Sequence, residues 1–117
     1  MTPEGKIKAL VKRELLSKFP DDAWVFMPVQ TGYGRPALDF IICFRGHFVT
    51  VETKTPVGAF RPSQKMTREE TLKAGGMVFC VYDDETCMEM IGVLTDLSWT
   101  EHRRYGPIHG QAKRERK

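Results

Sequence analysis

A chain of 117 residues is long enough for one domain with a substantial core and too short for two. Its 41% hydrophobic content is that of a soluble globular protein, and no apolar run approaches the length of a membrane span. The net charge of +3 is unevenly spread: Glu101 to Lys117 holds six basic and two acidic residues, a local +4 that leaves the rest of the chain at −1. A basic end on a near-neutral body suits contact with a polyanion. The plainer reading is a solvated, frayed terminus. The opening residues, MTPEGKIKAL, carry no apolar segment of the secretory kind. Cys43, Cys80 and Cys87 are odd in number and lack zinc-ligand spacing, so buried thiols are expected, with Cys43 and Cys80 inside strands. These features imply a reducing, cytoplasmic setting.

Taken in order, Thr2 to Lys18 reads as a helix, with Thr2 as its cap, Pro3 in its first turn and Ile7, Leu10, Val11 and Leu15 as its apolar stripe. Phe19-Pro20-Asp21-Asp22 is a turn. Trp24 to Val29 is a short strand, placed at a sheet edge by Pro28. The loop QTGYGRPA, 30–37, places Tyr33 and Arg35 where they could stack on bases and hold phosphate, or else simply connects two strands. Leu38 to Phe44 and Phe48 to Lys54 form two strands joined at Arg45-Gly46. A second loop, TPVGAFRP, contains Arg61. Ser63 then caps a helix from Gln64 to Ala74 that Gly75-Gly76 ends, with Gln64, Arg68 and Thr71 on one face. The run MVFCVY, 77–82, suits a buried central strand. Thr86 to Leu97 reads as a last helix with a Thr86–Glu89 capping box and a Met88, Ile91, Leu94 stripe. Residues 1–97 thus form one domain and 98–117 a basic tail.

The chemistry concentrates on the hairpin. A two-residue turn at Arg45-Gly46 places Phe44 opposite His47 and, counted outward, Asp39 opposite Glu52. Glu52 and Lys54 share a face, and Asp39 joins them. Two facing carboxylates destabilise a sheet, so one should take a proton or find a cation. Mg²⁺, which favours one or two carboxylates, waters and a phosphate, would resolve the conflict. Glu4 is either an acid favoured by the helix dipole or a third carboxylate of the site. Gln64 either points back toward the hairpin or is an ordinary exposed polar residue.

Glu-x-Lys alone is a weak signal, since this chain spells it at Glu4, Glu52 and Glu115. Only the middle copy ends a strand with an aspartate on the neighbouring one. The full pattern is Asp, twelve residues, then Glu-x-Lys, set in the order helix, strand, hairpin, helix, strand. With GYGRPALDF, RGHFVTVETKTPVGAFRPSQ and AGGMVFCVY around it, the sequence resembles the PD-(D/E)XK nucleases, and among them the small phage and bacterial VRR-NUC family. The likeness runs from Glu4 to about Tyr82. One departure is Leu38, where the family places proline before the aspartate; here the proline sits earlier, at Pro36.

The resemblance implies a restriction-endonuclease-like α/β core, αβββαβ, with a mixed central sheet flanked by helices. It implies Mg²⁺ or Mn²⁺ held by Asp39, Glu52 and the Thr53 carbonyl, a catalytic Lys54, a supporting Glu4 and an orienting Gln64. The expected activity is metal-dependent cleavage of DNA, of branched, flap or junction form, by a homodimer. Tyr33, Arg35, Arg61, Arg68, Lys113 and Arg114 are the expected nucleic-acid contacts. A DNA-binding module without catalysis is the alternative on the same fold, and two opposed acids argue against it.

Overall fold

The computed structural model describes residues 1–28, 38–55 and 62–101. Tyr33, Arg35, Arg61, Lys113 and Arg114, with the two loops and most of the tail, lie outside the described residues. The element order is α1 (Pro3–Lys18), β1 (Ala23–Phe26), β2 (Phe40–Phe44), β3 (His47–Thr53), α2 (Pro62–Lys73), β4 (Met77–Val81) and α3 (Asp84–Thr95). The four strands form one mixed sheet in the order β1-β2-β3-β4. β2 runs antiparallel to both β1 and β3, and β4 is parallel to β3. This is the α/β architecture expected from the sequence, with β1 at an edge; β1 ends at Phe26, so Pro28 lies beyond it rather than within it.

α1 begins as its sequence dictates: the Thr2 hydroxyl accepts the Gly5 N–H at 3.0 Å, and Pro3 fills the first turn. Val11 and Leu15 are fully buried, with Ile7 and Leu10 packed beside them. Alternation along β2 sends Phe40, Ile42 and Phe44 into the same core, where Val49 and Val51 of β3 and Leu94 of α3 meet them. Each such side chain contributes roughly 1.5–3 kcal/mol by leaving water. The Phe19 ring meets Phe44 edge-on, with centroids 4.8 Å apart.

The hairpin register is the one the two-residue turn requires: Phe44 pairs with His47 and Phe40 with Val51. Arg45 and Gly46 both have positive φ, 48° and 84°, the geometry of the tight turns that match strand twist. β2 starts at Phe40 rather than Leu38, because the ladder ends there. The next residues outward are Asp39 and Glu52, and the Asp39 side chain takes the Thr53 N–H at 2.7 Å in place of a main-chain acceptor.

Four readings are corrected. β4 is an edge strand among the described residues, not a central one. Its apolar character comes from the helices α2 and α3 packed against it. α2 starts at Pro62, whose fixed φ suits a first helical residue, so Ser63 lies inside the helix and does not cap it. α3 is capped by Asp83, whose carboxylate accepts the Thr86 N–H at 2.9 Å, so the capping box is Asp83–Thr86. That earlier start sets the buried stripe as Cys87, Met90, Ile91 and Leu94 and leaves Met88 exposed. Finally, Cys43 is exposed and Cys80 half-buried, because both alternate away from the main core; only Cys87 is buried, and burial pushes its thiol up to about 11.

At the far end of the hairpin, the last described residues fold back onto the turn. The Thr100 N–H donates to the Arg45 carbonyl at 3.1 Å, and His47 Nε2 lies 2.7 Å from the Ser98 carbonyl.

Candidate active site

Where the hairpin opens, two acids are almost wholly withdrawn from water: Asp39 is 8% exposed and Glu52 3%. Asp39 is held from two sides. Its Oδ2 accepts the Thr53 N–H at 2.7 Å and the Thr53 hydroxyl at 2.9 Å. Its Oδ1 lies 3.1 Å from the Lys8 ammonium on α1. Glu52, at the end of β3, is held by Gln64 of α2, which donates Nε2–H to Oε1 at 2.7 Å, and by the backbone N–H of Asp39. The other oxygen, Oε2, is buried and finds no hydrogen-bond partner among the described residues.

An orphaned carboxylate oxygen in a protein interior is costly. The consequence is a Glu52 pKa pushed up to about 7. Burial is the largest cause, followed by the negative charge of Asp39; the Lys54 ammonium and the Asp39 backbone N–H oppose them, and Glu4 adds to them. The conflict between opposed acids that the hairpin register imposes is therefore present in the folded protein.

The sequence-derived candidates distribute as follows. Asp39 meets the N–H and hydroxyl of Thr53, and Glu52 meets Gln64. Lys54 and Glu4 are close enough for their charges to act on Glu52. Arg68, one turn beyond Gln64, places its guanidinium 3.9 Å from the sulfur of Cys80, the β4 residue that pairs with Glu52. Among the described residues no three His, Cys, Asp or Glu side chains converge as a ready-made metal cage. The donor set still fits Mg²⁺ or Mn²⁺, which bind through one or two carboxylates plus waters and substrate phosphate. Glu52 Oε2 is the observation that supports the fit: it is buried, anionic when ionised, and finds no donor among the described residues.

Neither the models of known protein families nor the curated proteins match this sequence. Among solved structures, one described as "VRR_NUC domain" is similar, with a TM-score of 0.61 and 24% identity, over 79% of this chain and 97% of that one. The fold is that of a VRR_NUC domain. Within the VRR_NUC fold, this chain places its buried acids where β2 and β3 part, between the start of α1 and the start of α2.

Sequence reasoning missed Lys8. The signal was present: Lys8 lies four residues after Glu4, so the two share a helix face. What was missing was the knowledge that this face of α1 meets the open end of the hairpin.

Proposed function

We propose that this protein is a VRR-NUC nuclease: a Mg²⁺- or Mn²⁺-dependent endonuclease that hydrolyses DNA phosphodiesters, selective for branched, flap or junction structures. The observation that carries the reading is the buried Asp39–Glu52 pair with one carboxylate oxygen lacking a donor, in a fold matching a VRR_NUC domain. A pure binding module has no use for two facing acids, whose mutual repulsion costs stability.

Asp39, Glu52 and the Thr53 carbonyl are the groups that would hold the ion. When bound, the ion supplies Lewis-acid polarisation of the phosphate and a water of lowered pKa. The chain's own residues do the rest. Thr53 fixes Asp39 Oδ2 with two hydrogen bonds and so aims Oδ1. Gln64 engages Oε1 of Glu52 and leaves Oε2 available. Lys54, whose charge already acts on Glu52, offsets the negative charge that grows at phosphorus. Glu4 adds negative potential from the first turn of α1. Tyr33, Arg35, Arg61, Arg68, Lys113 and Arg114 supply backbone and stacking contacts, which suit recognition of DNA shape over long-range sequence readout. A homodimer in the cytoplasm completes the proposal.

The test is incubation of the protein with plasmid, flap and four-way-junction DNA in Mg²⁺, Mn²⁺ or chelator. Metal-dependent cutting is expected, with Lys54→Ala lowering the rate by about 10²–10³-fold, the loss typical of removing one charge-stabilising group. Metal-independent binding without cutting, unchanged by Lys54→Ala, would favour the binding module instead. Light scattering reads the oligomeric state.

A further inference from the structure

We propose that Lys8 is a place-holding cation: in the metal-free protein its ammonium occupies Asp39 Oδ1, the oxygen that a divalent ion takes, so that Lys8 and the ion exclude one another. The inference rests on the proposed function, since it needs Asp39 and Glu52 to hold an ion. Its grounds are geometric. The Thr53 N–H and hydroxyl both go to Oδ2 of Asp39, at 2.7 and 2.9 Å, leaving Oδ1 as the outward oxygen. The group found against Oδ1 is the Lys8 ammonium, at 3.1 Å. Beside it stands a carboxylate oxygen, Glu52 Oε2, that is buried and finds no donor among the described residues. Asp39 thus has the Lys8 ammonium directly on Oδ1, while the charge of Lys54 acts on Glu52 without supplying a donor to Oε2. A single divalent ion shared between them would neutralise both, but only by displacing the ammonium.

The displacement has a route. Lys8 is an α1 side chain about one-third exposed, so its four-carbon stem can swing without disturbing the core. Glu4 sits one helical turn earlier on the same face, acid before base, the favourable orientation for an i, i+4 pair. The released ammonium can therefore pass from Asp39 to Glu4 along its own helix. This gives Glu4 a part to play without direct contact with the ion.

The experiment is calorimetric titration of Mn²⁺ into the native protein, Lys8→Met and Lys8→Arg, without DNA, with circular dichroism confirming that each is folded. Removing one competing charge at this range is expected to tighten Mn²⁺ binding by about tenfold in Lys8→Met. Lys8→Arg, which keeps the charge, should bind as the native protein does. Binding by Lys8→Met where the native protein shows none also supports the proposal. Weaker or unchanged binding in Lys8→Met overturns it, because a lysine that merely oriented Asp39 would weaken binding when lost. Tightening by Lys8→Arg to the same degree overturns it too, and serves as the deciding result if Lys8→Met does not fold. Mn²⁺ binding in none of the three overturns both this inference and the metal-dependent reading. Binding in the native protein without tightening removes the Lys8 inference alone.

Discussion

The two ends of the β2–β3 hairpin are built in opposite ways. At the turn, Arg45 has several partners. Its Nε lies 3.0 Å from Asp22 Oδ2, and the same guanidinium donates to the Thr95 and Leu97 carbonyls at 3.1 and 2.8 Å, closing the end of α3. It also lies over the Phe44 ring, 5.0 Å from the centroid. One cation there ties together the β1 approach, the core and a helix C-terminus, where positive charge is favoured. At the open end, roughly 16–17 Å of strand away by the usual rise per residue, two acids face one another and one carboxylate oxygen finds no donor among the described residues. A sequence satisfies local rules where it needs only stability and breaks them where it needs chemistry. The same seven-residue strand, His47–Thr53, carries both behaviours.

Substitutions at each end should therefore move stability in opposite directions. The largest effect belongs to the turn. Arg45→Ala removes charge-assisted bonds to Asp22 and to α3 carbonyls and should cost about 3 kcal/mol, read as a lowered urea midpoint. If the midpoint stays put, the turn is not the anchor that its contacts imply.

The open end gives the next effect, in pH dependence. Glu52 rises from 4.5 to about 7 on folding, so the folded protein holds this proton more tightly than the unfolded chain. Its contribution to stability is full below about 4.5, declines as pH rises, and is gone above about 7. Metal-free protein should lose on the order of 2–3 kcal/mol through Glu52 across that window. Comparing urea melts of native protein and Glu52→Gln at pH 5 and pH 8 isolates this term, and parallel behaviour of the two would rule it out.

A smaller effect returns to the turn. Gly46 has a φ of 84°, and a Cβ there would strike the Thr100 hydroxyl. Gly46→Ala should therefore lower stability by about 1–2 kcal/mol, through backbone strain and the clash together. It should also loosen the Thr100–Arg45 contact, seen as faster exchange of the Thr100 amide.

This contrast explains what could be read from the sequence. The hairpin was legible because a two-residue turn fixes the register, and register fixes which acids meet. Gln64 was legible because it opens a helix that follows the hairpin. Lys8 was not, since nothing local to α1 says which strand end it covers. Arg45 was read as a turn residue only; its guanidinium contacts depend on where α3 ends. MVFCVY misled for a physical reason: an apolar run reads as a strand buried on both faces, whereas β4 is an edge strand among the described residues and of its five residues only Val81 is fully buried. In CMEMIGVL, two apolar stripes compete, and the Asp83 cap, one turn ahead of the expected start, decides between them.

Glu52 is buried, its Oε2 finds no donor among the described residues, and the proposed function gives that oxygen to a divalent ion. Thermal melting of native protein and Glu52→Gln at pH 8, each with chelator and with Mn²⁺, tests it most directly. Without metal, Glu52→Gln should melt higher than the native protein, and Mn²⁺ should raise the native melting temperature while leaving that of Glu52→Gln unchanged. A variant that melts lower in chelator, or two proteins raised equally by Mn²⁺, would contradict the account.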